Sequence, residues 1–579
     1  MSKANSAPEV FEDNQKAMNW LILGGSLVTL ALWANLNDPF NAPKSWILSI
    51  SGFWLLGWVI AQVKYRWQNF SLRWAIILGC SFWIALAASF IATDNKYIGM
   101  FGDYQRRTGF LSYTCLVVFF LGASFLINLK NLKSLHLTTV FVGFLVGIYG
   151  FAQHFKYDFI KWNNPYNSVL STFGNPDFAA AFMGIFAVLN FGLLIQSKYV
   201  RWLRLLSGAN VLLLLTVISF SQVRQGLLIA AVGIAIIAIV WTFQQSKKFG
   251  YALSALSVVV AILSLIGMLN KGPIAKYLYK VSVTYRGDYW RAGWRMFIHH
   301  PFFGVGSDRY GAYFREYRDT TQAVRRGPDL VSNAAHNVPI QLASTGGIFV
   351  LLTFIVLTGF IFWRGVTALR TSEGSNQITA ATFFAAWLAY EAQSFVSIDN
   401  LAIAVWGYIL GGAVVGLSLI PSLPHKKQGK GSILQPLFSS ILALTIFAIS
   451  VLFLQAEMAM KSSSSLPLPQ SSSQIKEFEV AAKKPLSYVF QEPTFSIRVA
   501  ASLAEAHDFQ GAEEILQKTI NSDPRAFDAM ETQARIYEYQ QSWSKAVQVR
   551  QKMIGLDPYN SNLKAQLLQD QRSETAKAK

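Results

Sequence analysis

The stretch NAAHNVPIQLASTGGIFVLL, residues 333–352, carries one histidine, then a glycine pair, and then runs straight into apolar sequence. That abrupt passage from polar loop to apolar run marks the mouth of a membrane helix, because a bilayer span needs about 20 mostly apolar residues. Outward from it, the 579-residue chain is 53% hydrophobic and only 14% charged, with 43 Phe, 22 Tyr and 17 Trp, the composition of an integral membrane protein. Thirteen segments read as spans: 18–35, 46–63, 74–92, 109–127, 137–155, 177–195, 203–221, 225–243, 250–269, 345–363, 377–395, 400–420 and 434–455. The first follows an acidic leader, 1–17, rather than a basic one, so it reads as a retained span and not a cleaved signal.

Lysine and arginine set the orientation. With the N-terminus cytoplasmic, the six internal loops hold Lys64, Arg66, Arg73, Lys130, Lys133, Lys198, Arg201, Arg204, Lys247, Lys248, Arg364, Arg370, Lys426, Lys427 and Lys430 against one acid, Glu373. The positive-inside rule is met in every one of them, and an odd number of spans then puts everything after residue 455 outside. The two cysteines, Cys80 and Cys115, fall within spans and imply no disulfide framework.

Much of the net charge of +19 is therefore topology signal, and nucleic acid is a poor candidate partner. The informative excess lies outside. The loop 270–344 carries eleven lysines and arginines, among them Arg286, Arg309, Arg315, Arg318, Arg325 and Arg326. A long loop escapes the rule, so a merely solvated basic surface is one reading; an anionic ligand, phosphate above all, is the other.

At KSSSSLPLPQSSSQ, 461–474, the chain turns into a Ser/Pro linker followed by polar helical sequence. Ala500 and Ala534, Phe509 and Trp543, Ala512 and Ala546, Asp523 and Asp557, and Pro524 and Pro558 are each separated by 34 residues, the tetratricopeptide period. Two units over about 493–560 are expected, capped by helices near 474–490 and 560–573. Such an array offers a groove to a protein partner, or serves only as a tether.

Four stretches share the external face: FGDYQRRTG (101–109), STFGNPDFAAA (171–181), SFSQVRQG (219–226) and the long loop ending at His336. Arg224 lies between two apolar runs, where a charge costs roughly 2.5–3.5 kcal/mol at mid-bilayer. Alone it is as well explained by snorkelling to the interface. Together with Arg106 and Arg286, each from a separate loop, it makes a cationic cradle for a diphosphate.

The spacing of His336, nine intervening residues and then Gly346, after a large external loop with RGDYW and PFFGVG, resembles the O-antigen ligase-related family of bacterial membrane glycosyltransferases over about 104–412. The resemblance implies a class C glycosyltransferase-like fold. The chain as a whole is then an all-α polytopic membrane protein, with a transmembrane domain over 18–455, a linker and helix over 456–492, and an extracytoplasmic α-solenoid over 493–579. It implies transfer of a glycan from an undecaprenyl-diphosphate carrier to a glycan, lipid or protein acceptor at the outer face of the bacterial cytoplasmic membrane, without cofactor or metal. His336 takes the family's histidine, Arg106, Arg224 and Arg286 its arginines, and Asn175 its Gly-Asn-Pro motif as a substrate-binding residue. Asp177 departs from the commoner second asparagine, and Val223 and Gln225 from the usual small neighbours. The residue types suit the chemistry: arginine is a permanent cation for a departing diphosphate, and histidine a base near neutral pH. A lone histidine is otherwise a packed loop residue, the assignment kept for His299 and His300. Glu391, an acid inside a span, is expected to pair with a cradle arginine. Polymerase and protein O-oligosaccharyltransferase differ from ligase only in acceptor; a transporter remains a reading from another class, although no inverted repeat supports it.

Overall fold

The computed structural model describes residues 8–129, 131–162, 169–419, 434–469, 472–489 and 492–578. Lys130, Lys426, Lys427 and Lys430 of the topology argument, and residues 1–7 of the leader, lie outside the described residues. The membrane part consists of α1 (Pro8–Leu30), α2 (Asn41–Arg66), α3 (Phe70–Ala92), α4 (Lys96–Phe101), α5 (Phe110–Leu126), α6 (Leu132–His154), α7 (Pro176–Ile195), α8 (Arg201–Phe220), α9 (Arg224–Gln245) and α10 (Lys247–Met268). The long loop between α10 and α15, expected from the charge pattern to be the external loop, holds α11 (Ala275–Leu278), α12 (Val281–His299), α13 (Tyr310–Tyr317) and α14 (Thr320–Arg326). Then come α15 (Val338–Thr371), α16 (Gly374–Ser394), α17 (Leu401–Leu417) and α18 (Leu434–Ser463), and finally α19 (Ser472–Tyr488), α20 (Pro493–Glu505), α21 (Phe509–Ser522), α22 (Phe527–Tyr539), α23 (Trp543–Leu556) and α24 (Ser561–Ala578).

Among the described residues nine helices are long and apolar enough to cross a membrane, and α5 and α17 are apolar but shorter. With α1 and α16, every expected span falls on a helix. The short pair α5 and α17 sits at the centre, where Phe119, Phe120 and Trp406 are fully buried. α10, by contrast, shows Leu256, Val258, Ile262 and Leu265 at its surface, as a helix facing lipid does. α1 starts at Pro8, inside the expected leader. Its last carbonyls are closed by Lys44 from α2, whose Nζ donates to the oxygens of Thr29 (3.1 Å) and Ala31 (2.6 Å).

The stretch 333–352 is a broken helix. Gly347 takes φ +73° within α15, and a Cβ there would lie 2.3 Å from the carbonyl oxygen of Phe302, so only glycine fits. The freed backbone groups are answered by PFFGVG: Val305 N donates to Ser344 O (2.8 Å), Gly306 N to Thr345 O (3.1 Å) and Ile348 N to Pro301 O (2.7 Å). Irregular backbone at membrane depth persists only when it is satisfied in this way. The expected continuous span from 345 is therefore preceded by a short helical segment, and His336 stands just before it. Asn337 caps that segment, accepting from Ile340 N (2.9 Å).

The four helices α20–α23 form two units whose starts and ends are offset by 34 residues, with α19 before them and α24 after. Asp523 and Asp557 close the two units, and each receives arginines from the external loop. Arg309 donates to both oxygens of Asp523 (2.8 and 2.6 Å), Arg318 to Asp557 (2.7 Å) and Arg315 to Asp557 (3.2 Å). Arg525 returns the contact to Glu316 (2.6 Å) and stacks 3.6 Å over the Tyr313 ring. The helical units thus clasp α13, and with it the loop that carries His336.

Candidate functional site

The RRTG turn resolves into two arginines with different duties. Arg107 is bound into the scaffold: its Nη2 meets Glu457 at 2.6 Å and its guanidinium lies 4.7 Å over the Tyr104 ring. Glu457, on α18, also accepts from Tyr104 Oη (2.9 Å) and Asp38 N (2.9 Å). Arg106 turns the other way and donates Nη2 to Asn333 Oδ1. Asn333 in turn donates to Gln105 (2.9 Å), which joins the turn to the residues just before His336.

His336 is half-buried with φ +51°, a left-handed conformation that histidine adopts more readily than most residues and that concentrates at functional sites. Its imidazole lies 5.3 Å from the Tyr289 ring. Burial, followed by the positive charges of Arg106, Arg286 and Arg326, holds its pKa down at about 3. The ordinary histidine value near 6.5, expected for an unperturbed base, does not apply to His336 here. Arg326 escaped the sequence reading, where it was one of eleven loop bases; it lies 4.3 Å over Tyr285 and donates to Tyr289 Oη.

Arg286, on α12, has its pKa lowered by burial, and the charge of Asp177 opposes that shift. That influence sets the loop near the Gly-Asn-Pro motif. Asn175 there is the N-cap of α7, accepting from Asp177 N (2.8 Å), with Pro176 opening the helix. Its side-chain oxygen is thus engaged in capping, a duty that needs no ligand.

Arg224 opens α9 and donates to the carbonyl of Tyr279 (3.2 Å) in the external loop. Two residues on, Gly226 lies so close to α7 that a Cβ would be 2.6 Å from the Ala180 oxygen. The starts of α7 and α9 therefore abut. Arg106, Arg286 and Arg326 converge on His336; Arg224 is tied to the same loop from the α9 side, and no contact joins it to the imidazole among the described residues.

Glu391 does not meet a cradle arginine. The charged group it feels is Asp399, which is held by Tyr113 Oη (2.8 Å) and Tyr390 Oη (3.0 Å). No group of three or more His, Cys, Asp or Glu side chains among the described residues could hold a metal ion.

Residues 209–355 match the family described as O-antigen ligase (Wzy_C). The match contains Arg224, Arg286, Arg326 and His336, whereas Arg106 and Asn175 lie ahead of it. No curated protein matches the chain.

Proposed function

We propose, from the match of residues 209–355 to the O-antigen ligase family, that the chain is a membrane glycosyltransferase that moves a glycan from an undecaprenyl-diphosphate carrier to an acceptor hydroxyl on the outer face of the bacterial cytoplasmic membrane. The observation that carries this reading is the meeting of three arginines from separate segments around one strained histidine. Arginine forks hold a diphosphate bidentately and need no partner ion. As the anomeric C–O bond breaks, its electron pair leaves with the lipid diphosphate, and the arginines stabilise that charge. The acceptor oxygen forms the new glycosidic bond and gives its proton to the free imidazole nitrogen of His336. Asn175 serves the donor indirectly, by fixing the start of α7 beside Arg286.

The low basicity of His336 fits this sequence of events. Burial first, and then the three guanidinium groups, disfavour imidazolium; a bound diphosphate offsets the guanidinium part, so the donor itself makes His336 a stronger base. A metal-free reaction is part of the proposal. The test is transfer by the purified full-length protein in lipid nanodiscs, given extracted lipid-diphosphate glycan and the cells' own surface-glycan acceptor with EDTA present. Product is expected; loss of product that magnesium or manganese restores would overturn the metal-free reading.

A further inference from the structure

A cavity of ≈ 680 Å³ lies between the 101–109 turn, the external loop and the start of the helical units, within the range of roughly 300–1,000 Å³ usual for small-ligand sites. It shares a wall with the arginine cradle, because Asn333 lines the cavity and accepts from Arg106, three residues before His336. Its charge differs from that of the cradle: five carboxylates and four arginines line it, so the two signs nearly balance. Of the carboxylates, Asp103, Asp308 and Glu492 are in no ion pair among the described residues. Arg525 also lines it, and its Nη1 is buried without a hydrogen-bond partner among the described residues, a donor left waiting for an oxygen.

Resting on the transferase reading above, we propose that this cavity is the acceptor subsite and that it takes the end of a neutral, polyhydroxylated carbohydrate chain. Carboxylates accept from sugar hydroxyls, while Asn333 and Arg525 donate to sugar oxygens; a hydroxyl satisfies both kinds of partner. With carboxylates and arginines nearly balanced, the cavity offers a diphosphate no net positive charge, and the lipid donor is served by the arginines on the side of α7 and α9. The helical units therefore build one wall of the acceptor site rather than only tethering a partner.

The cavity is tested by binding, separately from turnover. Asp528, whose side chain is 77% exposed, lines the rim, so Asp528→Cys in a Cys80→Ser background offers a thiol there. Maleimide labelling of the full-length protein is measured with the water-soluble glycan released from the cells' surface by mild acid, with a serine-rich peptide, and with inorganic pyrophosphate. Protection by the glycan alone is expected, and Glu492→Gln or Arg525→Lys should weaken that protection at least tenfold and raise the acceptor KM with the donor KM unchanged. Protection by the peptide alone or by pyrophosphate, or no protection by glycan, overturns the proposal. Since protection needs no turnover, glycan protection without any transfer would count against the transferase reading and leave the carbohydrate site standing.

Discussion

Replacing Arg309 with alanine removes one of the buried ties between the external loop and the helical units. The Arg309 side chain is 2% exposed and donates four hydrogen bonds, two to Asp523 and two to Asp94 (2.7 and 3.2 Å). Asp523 is 4% exposed, so Arg309→Ala strands a buried carboxylate, whereas Asp94, 29% exposed, recovers water. Breaking a buried pair from one side costs about 3–5 kcal/mol. Asp523→Ala leaves Arg309 with Asp94 and falls at about 2–3 kcal/mol, within the cost of an unsatisfied charged group. The double variant should cost clearly less than the sum, since neither charge is then stranded. At 1.4 kcal/mol per decade, Arg309→Ala opens the clasp by roughly 10²–4 × 10³-fold. Hydrogen exchange in α13 and at the start of α22 should accelerate by that factor while α5 and α17 stay protected. Unchanged protection in α13, or strict additivity in the double variant, would refute the clasp.

Two further predictions concern charge and topology. His336, with a folded pKa near 3 against 6.5 unfolded, binds fewer protons folded than unfolded between those values, so stability is retained above about pH 6.5 and lost as pH falls toward 3. In activity, kcat/KM should hold to lower pH than kcat, because only the donor complex has its arginines neutralised; coincident limbs near pH 6.5 would contradict the electrostatic picture. A reporter active only outside the cytoplasmic membrane, fused after Lys579, should be active; activity of a cytoplasmic reporter alone would reverse the orientation of the helical units and of the loop they clasp.

The span pattern was legible because bilayer thickness and backbone satisfaction leave a helix as the default for each long apolar run. The break at Gly347 was not: the glycine pair is visible, but its partner, PFFGVG, lies some forty residues earlier and is joined only by backbone hydrogen bonds. The 34-residue offset was readable from Asp523 and Asp557, whereas their arginine partners were not, since periodicity says nothing of contacts outside the repeat. In RRTG the sequence offered two equivalent arginines, and only the position of Glu457 on a distant helix explains why Arg106 is the one that reaches Asn333. Arg326 and Asn333 were hidden for the same reason. Glu391 was misassigned because a buried acid signals a partner without naming it, and the neighbours here are Asp399 and its tyrosines.

The central claim is that His336 accepts the acceptor's proton beside an arginine-held diphosphate. The most direct measurement is single-turnover glycan transfer by purified His336→Ala in nanodiscs, with donor binding followed in the same sample. The account predicts donor binding close to that of the parent and a transfer rate lower by about 10²–10⁴-fold, the usual contribution of a positioned general base. A His336→Ala protein that binds the lipid-linked glycan and transfers it at the parental rate would contradict the assignment.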